Sequence, residues 1–244
     1  MRKNMDIIKF SACCSVFLTS LFFTACGDIL GSDDSDGSDY NASANTLKDL
    51  RDGHVYRTVK ISSNMVWMAE NLNFKTFDSY CYDDDEKNCA KYGRLYTWAA
   101  AIDSAGKFSS TGKGCGDGTT CAVNSSGVPV RGVCPKGWFL PDIGTWTSMI
   151  ESVGGWSDAG EVLKSADGWN GSDEYSFSVL PAGVKRYDGR YIKEGERTSF
   201  WTSSQVDHEY TYSVDFFSDY GRASNDFEHK YKGFSVRCVT FIPE

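Results

Sequence analysis

Two periods of apolar recurrence divide this chain. Between Ile143 and Val153 the residues Ile143, Trp146, Met149, Ile150 and Val153 recur at helical spacing, and Gly154-Gly155 end the run. Pro141 disfavours the α conformation at Leu140, so the preceding stretch Cys134-Pro-Lys-Gly-Trp-Phe-Leu140 arrives extended. Asp142 then stands where an N-cap accepts from the first-turn N–H groups. A second helix is predicted over Gly93–Ser104, capped by Thr97, with Leu95, Trp98, Ala99 and Ile102 along one face. A short third one over Asp158–Ser165 buries Ala159, Val162 and Leu163.

Elsewhere the period is two. Asp52-Gly53 marks a tight turn before a strand whose inner face is read as Val55, Val59 and Ile61. Met65–Leu72 is a second apolar strand, and Asp188-Gly189 signals a hairpin within Val184–Ile192. Ser199–Ser204, Tyr210–Phe216 and Gly233–Phe241 complete a sheet, with Phe234, Val236 and Cys238 sharing one face. Cys81–Cys89 and residues 106–132 read as loops. No internal repeat is visible.

The beginning of the chain follows neither period. Arg2, Lys3 and Lys9 precede an apolar run, Phe10–Ala25, interrupted only by Ser and Thr. That is the plan of a signal peptide, too short for preference as a lasting transmembrane helix. The run ends in Phe23-Thr-Ala-Cys-Gly27, which is similar to a bacterial lipobox, although Phe23 replaces the usual Leu. Residues 1–25 are thus expected to be removed and Cys26 lipidated, placing the protein on the outer membrane through a lipid anchor, with the domain surface-exposed. Residues 26–46, rich in Ser, Gly and Asp, are expected to form a solvated acidic linker, and 47–244 the folded domain.

With 41% hydrophobic and 14% aromatic residues over 244 positions, that domain has the content for a core. The formal net charge of −8 argues against a nucleic-acid partner, which needs a basic footprint. Beyond Cys26 there are six cysteines, Cys81, Cys89, Cys115, Cys121, Cys134 and Cys238, an even set that reads as a disulfide framework in an exported chain. None is spaced C-x-x-C, and His54, His208 and His229 are scattered, so no zinc site and no cofactor is expected.

Taken in order, Arg51-Asp-Gly53, Val66-Trp-Met-Ala-Glu-Asn-Leu72, Tyr92-Gly-Arg-Leu-Tyr-Thr-Trp98, Cys134-Pro-Lys-Gly-Trp138 with Leu140-Pro141, Leu180-Pro-Ala-Gly183, Phe200-Trp-Thr-Ser203 and Ser235-Val-Arg-Cys238 resemble the Fibrobacter succinogenes major paralogous domain family. The resemblance spans about residues 47–240, with Ser176 and Thr145 as small departures. It implies an α+β, C-type-lectin-like fold: two main helices, an antiparallel sheet, long irregular loops and disulfide staples. It carries over no functional residue. Six cysteines allow fifteen pairings. Nearness suggests 81–89 and 115–121, and 134–238 is then left, joining elements that the fold class brings together.

The sugar-binding triplets of calcium-dependent lectins, Glu-Pro-Asn, Gln-Pro-Asp and Trp-Asn-Asp, are absent. Asp83-Asp84-Asp85-Glu86 reads as a solvated acidic patch rather than a calcium site. No G-x-S-x-G, H-E-x-x-H or phosphate loop occurs, so no enzyme is expected. A thiol-dependent enzyme related to formylglycine-generating enzymes, using Cys134 or Cys238, is the third reading. Trp67, Trp98, Trp138 and Trp146 lie in periodic elements and are assigned to the core. Trp156 and Trp169 flank glycines and Tyr187 and Tyr191 flank the hairpin turn, so these four form the expected ligand platform. The favoured function is a surface module binding polysaccharide or an extracellular protein. The alternative is a structural, matrix-interaction lipoprotein with no defined ligand.

Overall fold

The computed structural model describes residues 36–62, 64–121, 123, 128–219 and 221–242. Signal peptide, Cys26 and the rest of the expected linker up to residue 35 lie outside these. The described part is mostly sheet with four helices, an α+β architecture held by disulfides.

One sheet is built from β1 (Ser38–Asn41), β2 (Thr46–Asp49), β3 (Val55–Lys60), β4 (Met65–Met68) and β12 (Val239–Phe241), in that spatial order and antiparallel throughout. β1 corrects the expected boundary, because the linker ends before Asp36. Tyr40 meets Trp138 edge-on at 5.7 Å, and Arg131 holds Asp36 at 2.7 Å. The Asn41–Ala44 polar run that reads as linker is a turn, where Asn41 Oδ1 accepts from the N–H of Ser43 and Ala44. β3 departs from its expected face only at Val55, which is 51% exposed; Val59 is half-buried and Ile61, just past the strand, is buried. Tyr56 and Thr58 are buried too, because alternation sends Tyr56 to one apolar cluster and Val59 and Ile61 to another.

The second sheet has the order β11 (Ala223–His229), β10 (Tyr210–Phe217), β9 (Arg197–Gln205), β7 (Ala182–Lys185), β8 (Tyr191–Glu194). Its β7–β9 neighbours run parallel and all other pairs antiparallel. Gly183, in the Leu-Pro-Ala-Gly stretch, has φ +68°, and a Cβ there would lie 2.4 Å from the Tyr82 ring. Of the stretch Gly233–Phe241, only β12 is regular strand. Phe234 and Ser235 make single bridges to Tyr96 and Phe200 instead, and Ser235 and Arg237 are as buried as Phe234, Val236 and Cys238.

Among the helices, α3 (Ile143–Ser152) follows the sequence pattern. Asp142 Oδ1 accepts from Thr145 N at 2.7 Å, and Trp146, Met149, Ile150 and Val153 are buried. The other three are shorter, so two main helices are not what is found. α1 (Glu86–Tyr92) occupies the stretch read as a loop and is capped by Asp85, whose side chain accepts from Lys87 N. The helix read over residues 93–104 is instead β6 (Leu95–Tyr96), paired with β5 (Ser79–Tyr80), then a single turn, α2 (Trp98–Ala101), capped by Thr97. α4 (Ala159–Leu163) buries Ala159 and Leu163 and leaves Val162 half-buried.

Two apolar clusters result. One gathers Trp98, Trp138 and Trp201 around the Cys134–Cys238 bridge; the other packs α3 and α4 on β9 and β10 through Trp67, Trp146 and Phe177. Cys81–Cys89 and Cys115–Cys121 are joined with Cα separations of 4.9 and 5.6 Å.

Candidate functional site

At one end of the second sheet the aromatic residues form a path rather than a scatter. Phe227 and His229 are spaced two apart at the end of β11, which sends their side chains to one face of the strand, and Tyr231 follows in the turn after it. Tyr210 lies directly across from His229 in the β10–β11 register. Their rings are 4.0 Å apart, and Tyr210 meets Phe227 at 5.8 Å on the diagonal. The His229 and Tyr231 planes stack at 4.7 Å and 13°, and Tyr231 meets Tyr187 from the β7–β8 turn at 5.8 Å. Tyr187, Phe227 and Tyr231 are exposed, at 64, 56 and 38%.

A cleft of 360 Å³ opens beside Tyr187 and Tyr231. Val184, Ile192 and Phe234 supply its apolar floor, and Arg186, Lys232 and Glu228 polar groups. Under it Arg197 donates from one nitrogen to Asp215 and to Glu228, each at 3.0 Å, while Lys232 also binds Glu228. Burial pushes the Asp215 carboxyl above the usual range, with Arg197 opposing. Arg197 is itself penalised by burial, yet its two carboxylates hold it charged. Asp215 is 1% exposed and sits behind the guanidinium, so this network braces the cleft and does not present a carboxylate pair to it. The cleft thus offers ring faces for stacking and a few edge donors.

Of the four platform residues expected from the sequence, only Tyr187 belongs here. Tyr191 lies on the other side of the hairpin, 5.3 Å from Tyr82, and its hydroxyl donates to Asp84 at 2.5 Å. Trp156 is half-buried against the α3 cluster and lines a separate depression with Arg222 and Ala223. It sits at the start of β11, about 20 Å of strand from His229. Trp169 is 2% exposed, which removes it from any surface platform. Of its neighbouring glycines, Gly171 marks close backbone approach, since a Cβ there would fall 2.0 Å from Lys164 O, while Gly168 adopts a φ of +82° in open space. Tyr210, His229 and Tyr231 are not among the residues expected from the sequence; only the spacing of two between Phe227, His229 and Tyr231 is a sequence signal, since Tyr210 comes from the neighbouring strand.

The acidic stretch is occupied by internal partners. Asp84 accepts from Tyr191, Asp85 caps α1, and Glu86 pairs with Arg94 at 3.6 Å. Cys81, Glu86 and Cys89 lie close together, but both sulfurs are spent in a disulfide. The Cys134–Cys238 bond likewise uses up the thiols that the enzymatic reading requires. Among the described residues, no helix is long and apolar enough to cross a membrane.

The family model of the Fibrobacter succinogenes major domain matches residues 59–240. The chain belongs to this family. No curated protein and no solved structure matches the chain. The aromatic cleft lies within the Fibrobacter succinogenes major domain, whereas β1 and β2 precede the matched residues.

Proposed function

We propose that this Fibrobacter succinogenes major domain is a C-type-lectin-like binding module, carried on the outer membrane by a lipid on Cys26, that recognises extended polysaccharide without catalysis. The observation behind this reading is the unbroken ring path Tyr187–Tyr231–His229–Tyr210–Phe227, in steps of 4.0–5.8 Å, beside a cleft with polar edges. Sugar rings present apolar C–H faces, and a row of aromatic rings receives successive units. Each good stacking contact contributes about 1 kcal/mol, so an affinity in the micromolar range or weaker follows. An extracellular protein segment with apolar rings would use the same surface.

The second reading, a structural lipoprotein without a ligand, draws on the self-satisfied Arg197–Glu228–Lys232 network. Retention on insoluble cellulose, xylan and mannan separates the two. Tyr187→Ala and Tyr231→Ala, checked for unchanged melting temperature, are expected to lose retention that chelator leaves intact. A wild-type protein retained by none of the three favours the structural reading. For the anchor, Cys26→Ser is expected to release the protein from the membrane fraction.

A further inference from the structure

Lys230 stands between His229, the last residue of β11, and Tyr231, in the turn that follows the strand. It is 1% exposed, and among the described residues no carboxylate lies within ion-pair distance of it. Five oxygens surround its ammonium instead. Nζ reaches Gly116 O at 3.2 Å, Thr119 O at 2.9 Å, Gln205 Oε1 at 3.1 Å, Asp207 O at 2.7 Å and His208 O at 3.1 Å. The Trp98 ring closes another side at 4.7 Å.

An ammonium has three hydrogens. Five oxygens converging on it therefore form a coordination shell rather than a set of one-to-one hydrogen bonds. All five are neutral carbonyl-type oxygens, the donors that replace the hydration of a hard cation. They come from three separate segments: the Cys115–Cys121 loop, the end of β9 and the β9–β10 turn. The positive charge at their centre offsets the mutual repulsion of these dipoles, and Gly116 O also accepts from Thr119 N at 3.3 Å. Gln205 Oε1 further accepts from Cys121 N at 3.3 Å, tying the disulfide loop into the same shell.

We infer that this shell is a monovalent-cation site filled by the chain's own ammonium group. Lys230 does here what a bound potassium ion does elsewhere, an ion close to ammonium in size and equal in charge. By pinning the backbone between His229 and Tyr231 it is also a positioning residue for their rings. That second consequence rests on the proposed glycan reading; the site itself does not.

Lys230→Ala leaves the oxygens without their cation. Its melting temperature is expected to fall by roughly 5–10 °C. Potassium or ethylammonium chloride should restore part of this, tetramethylammonium chloride should not, and the wild type should respond equally to all three. An unchanged melting temperature, no recovery, or equal recovery in every salt overturns the inference. Should the variant fail to fold, ¹⁵N spectra of the wild-type lysine ammonium groups decide. A Lys230 signal protected from exchange supports the site, and one exchanging like the exposed lysines overturns it. Polysaccharide retention is read in parallel. Loss of retention in Lys230→Ala, regained with ethylammonium, supports the positioning role, whereas undiminished retention overturns that role alone. A wild type that binds no glycan sinks the proposed function and leaves the salt response to decide the cation site.

Discussion

Arg237 donates from Nε to Asn71 Oδ1 at 2.9 Å in the interior, where the two side chains come from stretches 166 residues apart. Asn71 passes the contact on, donating to Tyr92 O at 2.8 Å. The guanidinium also reaches the carbonyls of Phe177 and Ser178 and lies over the Phe177 ring, and among the described residues no carboxylate is hydrogen-bonded to it. Burial, then the charge of Arg57, pushes its pKa down to about 9. The guanidinium is therefore charged at neutral pH, hydrogen-bonded to neutral oxygens and supported at longer range by the charges of Asp173 and Glu70. Asn71→Ala strands Nε and is expected to cost about 2–4 kcal/mol in urea unfolding. Arg237→Lys should cost at least as much, since three separate guanidinium nitrogens reach these acceptors and a single ammonium nitrogen cannot occupy all three positions. A loss below about 1 kcal/mol for Asn71→Ala would falsify this account.

The Cys134–Cys238 bond closes a loop with a sequence separation of 104. In the chain-entropy picture it stabilises by about 4–5 kcal/mol, against about 2–3 for the six-residue separation of Cys115–Cys121. The Cys134→Ala/Cys238→Ala double variant is thus expected to unfold at clearly lower urea than Cys115→Ala/Cys121→Ala. The reverse order is the outcome to watch for.

The start of α3 leaves room for gain as well as loss. Asp142→Ala removes the cap at Thr145 N and should cost about 1 kcal/mol. No acidic residue occupies the first turn of this helix. Thr145→Glu supplies one facing the helix dipole and the reciprocal half of a capping box, with an expected gain of about 0.5 kcal/mol. Thermal unfolding of both variants measures the two signs.

A pH effect follows from Asp36. Its hydrogen bond to Arg131 holds the carboxyl below the ordinary value of 3.8. A carboxylate with a depressed pKa in the folded state stabilises above its unfolded pKa, and that stability is lost as pH falls through the folded value. The window therefore opens just below pH 4, and β1 should loosen there first. Because Asp36 is partly exposed, the effect is expected to stay under about 1 kcal/mol. Amide exchange of Ser38–Asn41 between pH 5 and 3 records it, and Asp36→Asn should show the low-pH rate at both.

What the sequence disclosed depended on whether a local signal had a single reading. Asp142, Pro141 and the Ile143–Val153 spacing left one solution, and α3 is that solution. Val55 and Val59 suggest one inner face of β3, and only tertiary packing buries Tyr56 and Thr58 on the other and leaves Val55 exposed. Asp85 capped a helix that two flanking cysteines made look like a closed loop. β11 escaped notice because Ser224, Asn225, Asp226 and Glu228 make an edge strand look like a loop. The cleft was only one-quarter visible for the same reason. Glycines beside Trp169 suggest exposure, whereas Trp169 is 2% exposed and Gly171 serves a close approach to the Lys164 backbone.

The pairing of β4 with β12 has a bearing on biosynthesis. Met65–Met68 is a central strand whose neighbour on one side, Val239–Phe241, is made some 170 residues later. Until those residues emerge, β4 waits with an open edge, and Cys134 waits as a reduced thiol while Cys115 and Cys121 are already within reach of it. Assembly of this domain during synthesis is therefore a closing event rather than a stepwise one. A stalled or truncated product lacking residues 238–241 would carry both an unpaired strand edge and a cysteine without its partner, the two features by which quality-control machinery can tell an unfinished chain from a finished one.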